Sequence, residues 1–284
     1  MLRGMNKGGA VTIVGPGRLG SALAHALMAS GFSIALIVSR NDPNSARRAA
    51  KLANEVGARS AKLDAADFHS EIVWFCVPDN EIAHVARIAA KRWDGKFAFH
   101  SSGALSSDEL KKLREAGASV ASVHPLMTFA GRSMVFTGVP FGLEGEKAAV
   151  LTARRVVKAL GGIAFAVSKK NKSAYHAWGM FASPLLISLL RSAEDVAGLA
   201  GVKNARALMS PIVHQTIANY FELGPEGAFT GPIVRGDADT VKRHLRALRG
   251  AKQLRSVYLA LASSAVQCLP TANRKRLTKL LSNP

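Results

Sequence analysis

The chain has 284 residues, of which 48% are hydrophobic and 20% charged. That is enough for two folded domains with sizeable cores, and it excludes disorder as the default state. Lys and Arg number 38 against 19 Asp and Glu, a formal charge of +19. Such a balance favours anionic partners, among them phosphates and acidic metabolites. The basic residues fall in short scattered groups, with no recognition-helix or aromatic-platform pattern beside them, so nucleic acid is not an expected partner.

The elements alternate through the first half. Apolar runs at residues 10–14, 33–38, 72–77, 96–100 and 118–123 read as buried strands. Amphipathic segments at 21–30, 43–56 and 107–116 lie between them, and Ser106 with Glu109 has capping-box spacing. Alternation of this kind implies a parallel sheet covered by helices. A strand-like run at 134–143, a helix at 146–160 and a run at 163–167 close this half. Helical patterns then take over at 171–199, 204–222, 237–248, 252–268 and 272–281, with a turn-rich break at 224–236. The expected division is therefore residues 1–167 and 168–284.

The first strand runs into Gly15-Pro16-Gly17-Arg18-Leu19-Gly20, followed by a helix of small residues. In that context GxGxxG reads as a dinucleotide turn. Gly15 permits the sharp bend, Gly17 admits the pyrophosphate to the backbone, and Gly20 lets helix and strand pack closely. The second strand ends at Ser39-Arg40-Asn41, where an NAD site usually carries an acidic residue. A hydroxyl and an arginine fork suit a 2′-phosphate, so NADP(H) is the expected cofactor. The competing arrangement leaves Arg40 solvated and gives the ribose to Asp42. Val77 and Pro78 end the third strand beside the same turn.

Other polar groups collect at strand ends, where open α/β sheets bind ligands. They are His100-Ser101-Ser102-Gly103 and His124-Pro125. Lys172 and His176 stand four apart at the head of the helical half and share one face. Lys172 is the first candidate for a proton donor or for the anchor of an anionic substrate, and His176 the second. Ser101 and Ser102 are placed to orient substrate or nicotinamide, and His124 to face substrate.

Cys76 and Cys268 make no metal-ligand spacing with histidine, and no metal is expected. The start, residues 1–9, lacks the apolar core of a signal peptide. The apolar stretch 174–190 contains His176 and Pro184 and is short for a membrane span of about 20 residues. A cytoplasmic protein with no membrane contact is expected.

The set formed by the glycine turn, His100 to Gly103, His124-Pro125-Leu126, Lys172 with Tyr175-His176-Ala177, and Thr230-Gly231-Pro232 with Arg235-Gly236-Asp237 resembles the Rossmann-like and DUF2520 domain-containing family. That family is similar to pyrroline-5-carboxylate reductase, F420-dependent NADP reductase and 6-phosphogluconate dehydrogenase-like proteins. The resemblance covers nearly the whole chain. It implies an α/β Rossmann domain followed by an all-α 6-phosphogluconate-dehydrogenase-C-terminal-like domain that serves substrate binding and homodimerisation. It implies no settled substrate; the glycine turn, the strand-end polar cluster and the Lys172-His176 helix lead to an NADP(H)-dependent oxidoreductase of a small, anionic carbonyl or imine compound as the expected function, with a non-catalytic NADP(H) sensor or scaffold as the alternative. In related β-hydroxyacid dehydrogenases a Lys and an Asn four residues later lie near the nicotinamide; Lys172 and His176 match that spacing, with His in place of Asn. Ala182-Ser183-Pro184 stands where many members carry Ala-Ser-Asn, which replaces an amide by a helix-bending proline.

Overall fold

The computed structural model describes residues 9–90, 93–129 and 135–282. Met134, where the sixth strand-like run begins, and most of the polar start lie outside these residues. The chain divides into two compact units, Met1–Phe181 and Ala182–Pro284. The first unit thus includes residues 168–181.

That unit is built on one sheet. Its strands are β1 (Ala10–Val14), β2 (Ser33–Ser39), β3 (Arg59–Lys62), β4 (Ile72–Phe75), β5 (Phe97–His100), β6 (Ser119–Pro125), β7 (Pro140–Gly145) and β8 (Ile163–Ala166). Their order is β3-β2-β1-β4-β5-β6-β7-β8. Pairing is parallel except between β6 and β7. The first six strands follow the doubly wound order, which reverses beside β1. Parallel strands are buried on both faces, hence the unbroken apolar runs. In β4 all four residues are buried.

Helices α1 (Arg18–Ala29), α2 (Pro43–Val56) and α5 (Lys147–Ala159) share one core, through Leu23, Leu52 and Val156 with Ile13, Trp74 and Phe141 of the sheet. Helices α3 (Asp79–Ala89) and α4 (Lys111–Glu115) share the other, through Ile82 and Leu113 with Val14, Phe75 and Val120. Each such buried side chain stabilises by roughly 1.5–3 kcal/mol relative to exposure. The segment expected to be one helix at 107–116 is a 3₁₀ turn, Ser107–Leu110, running into α4. Ser106 caps it by accepting from the Asp108 N–H at 3.4 Å, and the buried Glu144 carboxylate accepts from Ser107 N–H and Oγ–H at 2.7 and 2.9 Å.

Helix α6 (Lys172–Ala182) follows β8. The single helix expected over 171–199 is two, because Ser183 leaves helical geometry at φ −135°, ψ −78° and Pro184 opens α7 (Pro184–Leu199). A residue before proline is driven out of the α region.

The second unit holds α7, α8 (Ala205–Ala228), α9 (Ala238–Ala247), α10 (Lys252–Cys268) and α11 (Arg274–Ser282). Gly224, at φ 73°, breaks α8 where the turn-rich segment was expected to begin. Val241, Leu245, Val266 and Leu277 form a small core between α9, α10 and α11. Helices α7 and α8 bury no residue fully. No helix of the described residues is long and apolar enough to cross a membrane.

Candidate functional site

The glycine turn has the geometry its sequence requires. Gly15 sits at φ +104°, and a Cβ there would lie 2.5 Å from the Cys76 carbonyl oxygen. A Cβ on Gly20 would strike the Gly15 carbonyl oxygen. Both glycines are therefore fixed by the protein's own backbone. Gly17 differs, since a Cβ there would meet no protein atom within 4 Å. Its bare Cα faces open space in front of α1, which starts with no side-chain cap and no acidic residue in its first turn. Free N–H groups at a helix N-terminus suit a pyrophosphate. The residues present thus fit a dinucleotide.

A cleft of about 210 Å³ lies beside the turn. Gly15, Pro16, Gly17, Ser39, Arg40, Val77 and Pro78 all line it. Arg18 is exposed, Leu19 packs against the core, and Gly20 is buried beneath the turn. Ser45 and Arg48 of α2 also line the cleft, and neither was expected there from the sequence. The signal was present: Asp42-Pro43 marks a helix start, which puts positions 45 and 48 on one face of its first turns. Asp42 caps α2, accepting from the Ser45 N–H at 2.8 Å, and lies 3.4 Å from Arg40 Nε. That hydrogen bond, with Arg40 and Arg48 nearby, holds its carboxyl below the usual value.

A second cluster forms where β5, β6 and α6 meet. His100, fully buried, accepts at Nδ1 from the Ser102 N–H (3.1 Å) and donates from Nε2 to the Ser106 carbonyl (3.0 Å). Accepting at Nδ1 while donating from Nε2 needs the neutral ring. Burial pushes its pKa down to about 4, and Lys172 adds to the effect. Ser102 donates to Asp79 (2.7 Å) and accepts from the Ala104 and Leu105 N–H groups (3.2 and 2.9 Å). Ser101 accepts from Trp74 Nε1 at 2.8 Å. These two hydroxyls are thus committed to holding the loop.

Lys172 is also committed. It is 2% exposed and donates to the Ser102 carbonyl (2.9 Å) and Ser122 Oγ (2.7 Å). Burial lowers its pKa to about 8, against the opposing pull of Glu144 and Asp79. Lys169, three residues before Lys172, pairs with Asp108.

His124 is half-buried. Its Nδ1 lies 2.6 Å from the Tyr175 phenol oxygen, and its ring crosses the His176 ring edge-on at 6.2 Å. Burial pushes its pKa down to about 4, with further contributions from Lys172, His176 and His100. Gly103 makes room for both imidazoles, since a Cβ there would lie 2.7 Å from His176 Cδ2 and 2.9 Å from His124 Nε2. Lys172, His176, Ser102 and His124, each expected at the site from the sequence, do gather in one place in the fold. Tyr175 joins them without having been expected there. The register gives the reason: β7 pairs antiparallel with β6, setting Gly142 opposite His124, and the phenol occupies the space Gly142 leaves. Among the described residues no group of three or more His, Cys, Asp or Glu could hold a metal ion.

Residues 6–125 match the Rossmann-like domain, and residues 139–265 match DUF2520, a domain of unknown function. The chain is a Rossmann-like and DUF2520 domain protein. Comparison with the curated proteins gives no match. Among solved structures the chain is similar to BF3122 from Bacteroides fragilis, a proposed NADP oxidoreductase, at 21% identity and TM-score 0.75, covering 92% of this chain and 98% of that one. It is similar to protein TM1727 from Thermotoga maritima at 24% identity and TM-score 0.72, covering 96% and 98%. It is also similar to an imine reductase from Myxococcus stipitatus in complex with NADP+, at 20% identity and TM-score 0.66, covering 96% and 99%. These likenesses extend the Rossmann-plus-helical architecture over nearly the whole Rossmann-like and DUF2520 chain.

Proposed function

We propose that this Rossmann-like and DUF2520 protein is an NADP(H)-dependent oxidoreductase of a small carbonyl or imine compound. The observation that carries the reading is the pairing of a dinucleotide cleft with a buried, pKa-shifted polar cluster at the carboxyl ends of neighbouring strands. Solved structures of similar fold include the imine reductase bound to NADP+ and a reductive aminase from Aspergillus terreus in complex with NADPH.

Gly15, Pro16, Gly17, Arg18, Leu19 and Gly20 hold the pyrophosphate. Ser39, Arg40, Ser45 and Arg48 surround the 2′-phosphate, and Val77 and Pro78 close the other side. When bound, the nicotinamide supplies hydride. The protein's task is to position the substrate and move one proton. His124 and His176 face the reacting group, while Lys172, Ser101 and Ser102 fix the loop beside it. The buried Lys172 ammonium acts through this loop, which modifies its expected role as a direct anchor.

Fluorescence titration with NADPH and NADH tests the reading. Tight NADPH binding, weaker NADH binding and turnover with carbonyl or imine substrates support it. Absence of binding below millimolar concentration overturns it. Tight binding with no turnover on a broad panel favours the sensor alternative.

The active form is a homodimer built through the helical domain, residues 168–284. Leu208 and Ile212 of α8 are about two-thirds exposed and Phe221 is 81% exposed. The same unit has an apolar cavity of about 570 Å³ lined by Leu189, Val196, Leu254, Val257 and Leu261 among others. Exposed apolar surface of this extent on a single chain supports burial against a second copy. The free thiols of Cys76 and Cys268 accord with a cytoplasmic location.

A further inference from the structure

The reading above places His124 at the reacting group but gives no part to its partner Tyr175. At 2.6 Å theirs is the shortest side-chain hydrogen bond in the cluster. Tyr175 is buried, and the packing of its ring against Phe165, Trp178 and His124 fixes its position. The Gly142 backbone leaves the slot for the phenol. His124 faces the other way with Nε2, which lies beside Gly103.

We propose that Tyr175 and His124 form a neutral proton relay that protonates a carbonyl oxygen, so that the substrate is a carbonyl compound and not an iminium ion. This rests on the oxidoreductase reading above. In this relay the phenol donates to Nδ1 at 2.6 Å in preference to the more distant His124 carbonyl oxygen at 3.4 Å, so the ring's own proton sits on Nε2. As hydride reaches the carbonyl carbon, the C=O π pair moves to oxygen. The oxygen takes the Nε2 proton, and Nδ1 takes the phenol proton. The imidazole ends neutral in its other tautomer, and Tyr175 ends as phenolate. After the alcohol leaves, water protonates Nε2, the Nδ1 proton returns to the phenolate, and hydroxide departs.

The surroundings suit this step. The titratable groups acting on His124 are Lys172, His176 and His100. Those against Tyr175 are His124 and the Lys172 ammonium, 5.7 Å from the ring centroid. A cation beside the phenol supports a transient phenolate. Burial holds the phenol proton in place at rest, with its pKa raised to about 12. An alkoxide is far more basic than a phenolate, so transfer to it runs downhill. An iminium brings its own proton and needs no donor. Its positive charge would also lie in the field of the buried Lys172 ammonium, while the carboxylates of Asp79 and Glu144 are engaged by Ser102 and Ser107.

Two measurements test the relay. The first is ¹⁵N NMR of the imidazole nitrogens in the full-length protein without ligand. His124 is expected as the neutral Nε2–H tautomer from pH 8 down to pH 5, with a shift in tautomer balance in Tyr175→Phe. A cationic or Nδ1–H His124 at pH 7 overturns the proposal. The second is NADPH oxidation with small 2-oxo acids and aldehydes, set against 1-pyrroline. Tyr175→Phe keeps the ring in its slot. It is expected to lower kcat for the carbonyls on the order of 10²-fold, with KM and NADPH affinity changed only a few-fold. Unchanged carbonyl kcat in this variant, or turnover confined to 1-pyrroline, overturns it. Failure to bind NADPH sinks the oxidoreductase reading instead, and the tautomer result stands apart from that outcome.

Discussion

Single residues set the chemistry here mainly by what they exclude. Gly20 has no space for a side chain, because its Cβ would collide with the Gly15 carbonyl oxygen. Gly20→Ala is expected to displace the turn, measured as at least a tenfold loss of NADPH affinity in a folded protein by circular dichroism. Arg40 and Arg48 flank Ser39 and Ser45 in the cleft. In the proposed NADP(H) complex each would contribute one charge-assisted contact to the 2′-phosphate, worth about 1.5–3 kcal/mol. Arg48→Ala should therefore weaken NADPH binding about tenfold or more and leave NADH nearly unchanged. Equal losses for both cofactors would remove the arginine from the 2′-phosphate site. Lys172 acts as a charge as well as a brace. Lys172→Met keeps most of the buried volume and removes the ammonium, so the His124 pKa should rise from about 4 towards its ordinary value. The pH dependence of the His124 NMR shifts measures this directly, and Lys172→Arg should restore the low value.

At the scale of elements, the end of β5 and its loop depend on neutral histidines. His100 and His124 both have pKa values near 4 in the fold, against 6.5 ordinarily. The unfolded chain therefore binds more protons between pH 6.5 and 4, and stability falls as pH drops through that window. A tenfold change in proton affinity is worth about 1.4 kcal/mol, so each histidine contributes on the order of 3 kcal/mol to this fall. Thermal midpoints across pH 4–7 are expected to fall towards the acid end and to fall less in His100→Gln. Lys172 works in the opposite range. Its pKa near 8 against 10.5 means that its contribution to stability rises with pH between those values.

The elements also show what the sequence could reveal. The buried strands were legible because both faces of a parallel sheet demand continuous apolar runs, as in Ile72 to Phe75. Edge strand β3 (Arg59–Lys62) was not, since three of its four residues are exposed and it carries no apolar pattern. The cofactor cleft was readable because strand, glycine turn and helix are contiguous. Tyr175 was legible only as part of a motif. Its role depends on the β6–β7 register, a pairing of distant residues that local spacing does not encode.

For the whole molecule, the first unit contains two complete cores, one on each face of the sheet. The second has only a small core, and its helices α7 and α8 leave Ile187, Leu208, Ile212 and Phe221 mostly exposed. The proposed homodimer would cover this surface. Ile212→Asp with Phe221→Asp is expected to give monomers by light scattering. Unchanged mass would place these side chains outside the interface.

Gly142 carries a consequence for the chain's relatives. The phenol of Tyr175 fits only while position 142 has no side chain, because even a methyl group there would lie 2.7 Å from the ring carbon that bears the hydroxyl. Histidine, glycine and tyrosine, from two strands and a helix, should therefore be inherited together or lost together. A homologue with alanine at the middle position should also have given up the tyrosine, and that covariation is a fingerprint by which the lineage of this pair can be traced.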